Sequence, residues 1–99
     1  MKKTSKSTGG TSFHSNTITA SVAELEEVLG APTFMCNDGT DKVNFEWEME
    51  TEDGEVFTVY DWKEYRSISR NEQIEWHIGG HDRQITYKAL CELSKALES

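Results

Sequence analysis

The stretch VNFEWEMETEDGEVFTVYDW, Val43 to Trp62, decides the fold. Val43, Phe45, Trp47 and Met49 alternate with Asn44, Glu46, Glu48 and Glu50, the period of a strand with one face buried. Thr51-Glu52-Asp53-Gly54 follows, and Asp-Gly is a strong hairpin signal. Val56 to Trp62 is then the returning strand. A two-residue Asp53-Gly54 loop pairs Glu52 with Glu55 and sets Trp47 opposite Tyr60, Phe45 opposite Trp62 and Met49 opposite Thr58. That register gathers the aromatic rings on one face, where cross-strand pairs stabilise a sheet. A one-residue bulge would instead pair Trp47 with Val59.

The remaining elements lie outward from this hairpin. Phe13 to Thr19 reads as a short edge strand. In ASVAELEEVLGAP, Ser21 and Glu24 form the capping-box pattern S-x-x-E. Val22, Leu25, Val28 and Leu29 make one apolar stripe, Gly30 suits the position after a helix, and Pro32 cannot continue it. A helix over 22–29 follows. Ile74, Trp76 and Ile78 alternate with Glu75 and His77 in a further strand, which Gly79-Gly80 ends. Asp82 or Thr86 caps a last helix, in which Ile85, Ala89, Leu93 and Leu97 repeat every four residues and which runs to about Glu98. The order strand, helix, three strands, helix predicts an α+β fold: a small antiparallel sheet of three to four strands with two helices packed on one face. Residues 1–12, rich in Ser, Thr, Lys and Gly, read as a disordered tail, and 13–99 as a single domain.

Charge and composition exclude several classes. The chain of 99 residues carries 18 acidic and 10 basic residues, a net charge of −8. Lys2, Lys3 and Lys6 lie in the tail and every acid lies from Glu24 onward, so the folded part is still more acidic. Such a surface disfavours direct nucleic-acid binding, because phosphate contacts need Lys and Arg. No apolar run approaches the ~20 residues of a bilayer span, and the lysine-rich start lacks the apolar segment of a secretory signal. The expected place is the cytoplasm. Cys36 and Cys91 are far apart; Cys91, among Ala89, Leu90 and Leu93, reads as a buried thiol.

Three constellations bear on function. Trp76-His77-Ile78-Gly79-Gly80-His81-Asp82 reads either as an anion site, with backbone donors at Gly79 and Gly80 and imidazoles at His77 and His81, or as a sharp turn with positive φ. Asp61-Trp62-Lys63-Glu64-Tyr65-Arg66 places rings and cations at a strand end, suited to stacking a base and pairing with a phosphate, or is a solvated loop. Glu46, Glu48, Glu50, Glu52, Asp53 and Glu55 form an acidic stripe. Alternate strand residues project at ~6.6–6.8 Å, near the phosphate spacing of a nucleic-acid strand, so the stripe reads as a nucleic-acid mimic or as an ordinary solvated face. No metal site, cofactor or nucleophilic triad is expected.

The segments YDWKEY and EWHIGGH, with the opening FHSNTITASVAELEEVLGAP, resemble a family of small phage proteins found among crAss-like phages of gut bacteria. The resemblance covers about residues 13 to 98. It implies an accessory protein acting in an infected bacterial cell and not a metabolic enzyme. The combined expectation is a non-enzymatic protein that binds a small anionic, nucleotide-like ligand through Trp62, Lys63, Tyr65, Arg66, His77, Gly79, Gly80 and His81, as a possible homo-oligomer, and counters a host defence signal. The alternatives are an acidic inhibitor that docks the stripe on a basic host protein, and a structural or assembly factor.

Overall fold

The computed structural model describes residues 1–98. Two helices pack on a six-stranded sheet in which every pairing is antiparallel. The strands are β1 (Lys2–Lys3), β2 (Ser12–Ala20), β3 (Phe34–Met35), β4 (Phe45–Glu50), β5 (Val56–Tyr60) and β6 (Ile74–Gly80); the helices are α1 (Val22–Leu29) and α2 (Arg83–Glu98). The spatial order is β1-β4-β5-β6-β2, and β3 shares the outer edge of β4 with β1. The sheet is therefore larger than the three to four strands the sequence suggests. Its two additional strands have two residues each, too short to carry a period.

The hairpin takes the shifted register. Trp47 pairs with Val59, Met49 with Phe57 and Glu46 with Tyr60. Thr51 N–H donates to the Glu55 carbonyl at 2.9 Å, so the loop is Glu52-Asp53-Gly54. The cause is backbone chemistry. A two-residue type I′ loop needs positive φ at both central residues. Gly54 has φ 82° while Asp53 is not in the positive region, which fits a three-residue loop with glycine in the left-handed position. Because side chains alternate, a one-residue slip turns the returning strand over. Phe57, Val59 and Asp61 face the core, and Tyr60 and Trp62 face away from the helices.

The core is one cluster. Trp47, Phe57, Val59, Trp76 and Ile78 from the sheet meet Val22, Leu25 and Leu29 of α1 and Ala89 and Leu93 of α2. Trp47 and Trp76 are both 0% exposed and meet edge to face with centroids 5.5 Å apart. Each indole N–H has a carbonyl partner, Gly30 for Trp47 at 2.9 Å and Ala20 for Trp76 at 2.8 Å. A buried indole donor needs such a partner, and these two tie the ends of α1 to the sheet. Ser21 caps α1 with the full capping box. Asp82 caps α2, its Oδ1 accepting from Ile85 N–H at 2.8 Å. Cys91 is exposed, not buried, because the buried stripe of α2 runs through Thr86, Ala89 and Leu93.

Gly79 and Gly80 end β6, as the sequence suggests, but they do not form a positive-φ turn. They are its last two residues, paired with β2 on one side and β5 on the other, and neither has positive φ. Their backbone groups face strand neighbours, not a ligand. They are glycines because the surroundings approach closely. A Cβ at Gly80 would lie 2.8 Å from Thr86 Cγ2 and 3.5 Å from Ile85 Cγ2, so α2 rests directly on the strand. Thr86 is fully buried and accepts from Asn16 Nδ2 at 2.7 Å. Gly80→Ala is expected to push α2 outward and cost about 1–3 kcal/mol, the usual range for overpacking, seen as a lower urea midpoint. An unchanged midpoint would mean that α2 is not seated on β6.

The amino-terminal dozen, read as a disordered tail, lies along the sheet. Lys2 and Lys3 pair with Glu50 and Met49. Lys2 and Lys6 each reach Glu50 at 3.4 Å, and Thr4 Oγ1 donates to its Oε2 at 2.9 Å. The three tail lysines meet acceptors on a chain whose acids all lie further along: Lys3 Nζ donates to the Ala31 carbonyl and Lys6 Nζ to the Gly54 carbonyl.

Candidate functional site on the open sheet face

The face away from the helices carries two transverse rows fixed by register. One is Glu46, Tyr60, His77 and Thr17; the other is Glu48, Thr58, Gly79 and Phe13. Phe13 reaches this face through an irregularity in β2 between Phe13 and Thr17. Ser15 absorbs the extra length with φ 73°. The irregularity adds two residues, so the inward–outward parity is preserved on both sides of it.

Four rings then gather. Phe13 stacks on His77 with centroids 4.0 Å apart and an interplanar angle of 15°. Trp62 lies on the same ring at 6.2 Å and 25°. Tyr60 meets both edge-on, at 5.6 Å from His77 and 6.1 Å from Trp62. Phe13 is 41% and Trp62 39% exposed, so the cluster is a surface feature. Burial lowers the His77 pKa, against the pull of Glu75. The shift favours the neutral ring, which stacks between Phe13 and Trp62.

Beside the rings lies a recess of about 240 Å³, lined by Thr8, Thr11, Ser12, Val43, Glu46, Thr58, Tyr60, Trp62 and Gly79. Gly79 is its floor. A Cβ there would come within 2.5 Å of Thr58 Oγ1 and 3.3 Å of Tyr60 Cε1. At the rim, Lys42 Nζ and Lys63 Nζ lie 5.9 and 5.6 Å from the centre of the Trp62 ring, within cation–π range.

Glu46 is the electrostatic centre of the recess. Its pKa is raised from 4.5 to about 7, first by burial and then by a hydrogen bond and charge repulsion with Glu48. Burial chiefly, with the Glu46 charge, also raises Tyr60, which stays a phenol. A carboxyl group that titrates higher in the folded state favours folding while protonated. That contribution is complete below about pH 4.5 and is lost as pH rises through 7. Glu46→Gln is therefore expected to stabilise the protein at pH 8 by on the order of 1–3 kcal/mol, allowing for solvent screening at a half-buried site. The gain should vanish below pH 4.5. Thermal melts across this range check it, and a pH-independent gain would contradict the assignment.

The sequence-derived site is brought together only in part. Trp62, His77 and Gly79 meet, with Lys63 at the rim. Arg66 turns to Glu72 and Glu64 in its own loop. Tyr65 is exposed. Gly80 lies under α2, and His81 is exposed beside Gly10. Phe13, Tyr60, Thr58 and Lys42 are the residues that sequence reasoning missed. The acidic stripe is divided. Glu50 is buried under Lys2, Lys6 and Thr4. Glu48 accepts from Thr8 Oγ1, and Asp53 pairs with Lys88.

Cys36 is exposed like Cys91. The Cys36 thiol donates to Asp38 Oδ2, and that bond, with the carboxylate charge, raises its pKa. Among the described residues no group of three or more His, Cys, Asp or Glu is placed to hold a metal ion, and no helix is long and apolar enough to cross a membrane. Compared with protein-family models, curated proteins and solved structures, the chain matches none.

Proposed function

We propose that the open sheet face binds a small nucleotide-like ligand without transforming it, and that the protein, as a phage accessory protein, so withdraws that ligand from a host defence signal. The observation carrying this reading is the coincidence of an exposed stacking surface, Trp62 with His77 and Phe13, with a recess and two lysines at its rim. Aromatic rings on an open sheet face suit bases, since every base has a π-face to stack. Lys42 and Lys63 supply the positive charge a phosphate needs in an otherwise acidic chain. The phage setting and the defence signal rest on the sequence resemblance alone.

A recess of about 240 Å³ falls below the ~300–1,000 Å³ of ordinary ligand sites. It suits one ring system, and a second copy of the chain would enclose the remainder of a larger ligand. The acidic-inhibitor reading has less support, because Glu50 and Asp53 already meet lysines and burial suppresses the Glu46 charge.

Calorimetric titration with cyclic and ADP-ribose-type nucleotides tests the proposal. Trp62→Ala should weaken binding roughly 5- to 150-fold, the equivalent of ~1–3 kcal/mol for one stacked base. The exposed position of Trp62 keeps the variant folded. Affinity unchanged in Trp62→Ala, or no binding by the unaltered protein, would overturn the reading.

A further inference from the structure

The recess combines unlike groups. Trp62 and Tyr60 offer rings, with Lys42 and Lys63 outside them. Next to Tyr60, its cross-strand partner, Glu46 offers a carboxyl group that, among the described residues, is in no ion pair; its neighbour on the same face is another acid, Glu48, with which it shares a hydrogen bond. Thr8, Thr11, Ser12 and Thr58 add side-chain hydroxyls, which adapt as donors or acceptors. Glu46 is the one acidic group lining the recess, hydroxyls make up most of its other polar lining, and Lys42 and Lys63 lie at the rim over Trp62.

From this arrangement we infer that the site selects a guanine-type base, a planar ring with two adjacent N–H donors aimed at Glu46 and its phosphate directed toward Lys42 and Lys63. The inference rests on the nucleotide reading and narrows it. An ionised carboxylate is acceptor-only and takes two parallel N–H donors with its two oxygens. The N1–H and exocyclic amino group of guanine supply that pair. Adenine offers one amino donor beside a ring acceptor, which would face a carboxylate oxygen lone pair to lone pair. Hypoxanthine keeps N1–H and lacks the amino group, so it makes half of the contact. The base fills the recess and the ribose and phosphate stay outside.

A proton is linked to this contact. Glu48 on the same strand, Tyr60 on the neighbouring strand and His77 beyond it are the titratable groups in the Glu46 row and beside it. Burial raises Tyr60 and lowers His77, each toward its neutral form, and Glu46, raised to about 7, holds the exchangeable proton. Guanine binding to ionised Glu46 expels it, and affinity rises as pH climbs through neutrality.

The test is titration calorimetry with guanosine, inosine and adenosine 5′-monophosphates at pH 8, where Glu46 is mostly ionised, and at pH 7 in two buffers of different ionisation enthalpy. The unaltered protein, Glu46→Gln and Trp62→Ala are compared. Guanosine monophosphate should bind about tenfold or more tightly than the other two, as one bidentate pair provides. Its heat should differ between buffers. Glu46→Gln should erase the preference and leave a common, weaker affinity. Equal affinity for all three nucleotides, each lost in Trp62→Ala, would overturn the guanine assignment and leave the nucleotide site standing. No binding of any of the three by the unaltered protein would remove both.

Discussion

Trp47→Ala is expected to destabilise the protein by about 3–5 kcal/mol, the range for emptying a fully buried large aromatic position. Trp47 is 0% exposed, meets Trp76 edge to face and donates to the Gly30 carbonyl. Truncation leaves a cavity where α1 meets the sheet and strands a carbonyl at the helix end. Domains of this size hold only ~5–15 kcal/mol in all, so the variant should be partly unfolded at 37 °C. Urea unfolding followed by far-UV circular dichroism measures it. Trp47→Phe, which keeps most of the volume, should cost less. Were both variants as stable as the parent, Trp47 would not sit at the centre of the core.

Asp61→Ala should cost as much through a different mechanism. Asp61 is fully buried, and its Oδ1 accepts from Asn44 N–H and Phe45 N–H, both at 2.8 Å. Removing the side chain leaves two buried backbone donors unmet, at ~1–3 kcal/mol each, or roughly 2–6 kcal/mol together. Asn44 extends the network, accepting from Gly39 N–H at 3.3 Å and donating to the Arg66 carbonyl at 2.8 Å, so the loops before β4 and after β5 should loosen together. Asp61→Asn is the informative contrast. It keeps a carbonyl acceptor and removes a charge whose pKa burial raises, against the opposing backbone bonds. A raised carboxyl favours folding only while protonated, so this variant should gain on the parent as pH rises above the ordinary Asp value of 3.8. Near pH 7 it should lie within about 1 kcal/mol of the parent or above it. A loss in Asp61→Asn equal to that in Asp61→Ala would show that the ionised form is needed.

These two residues also show what was legible in the sequence. The period of Val43 to Met49 marks Trp47 as buried without any coordinates, and the capping box at Ser21 marks the start of α1 to the residue. Both are local signals. The burial of Asp61 was not legible, because it depends on the length of a loop eight residues earlier. Asp53-Gly54 is compatible with two loop lengths, and only the backbone at Asp53 separates them. The same single-residue slip hid the site. The expected register buries Tyr60 and Trp62 with Trp47, whereas the observed one sends them to the open face beside His77. Phe13 was hidden for a related reason, since the irregularity at Ser15 has no periodic signature. Gly79-Gly80 was legible as the end of a strand but not as a point of close packing. Sequence shows that a side chain is absent, and only packing shows that Thr86 and Thr58 occupy the space.

The central claim is that a nucleotide-like ligand stacks on the open sheet face, and three tryptophans make it directly measurable. Trp47 and Trp76 are 0% exposed and Trp62 is 39% exposed, so one indole alone is available to a ligand. The decisive measurement is a titration of ¹⁵N-labelled protein with guanosine 5′-monophosphate, read at the three indole N–H signals. A saturable shift of the Trp62 signal, with those of Trp47 and Trp76 unmoved, is the predicted result. Three unmoved signals at saturating nucleotide would contradict the account.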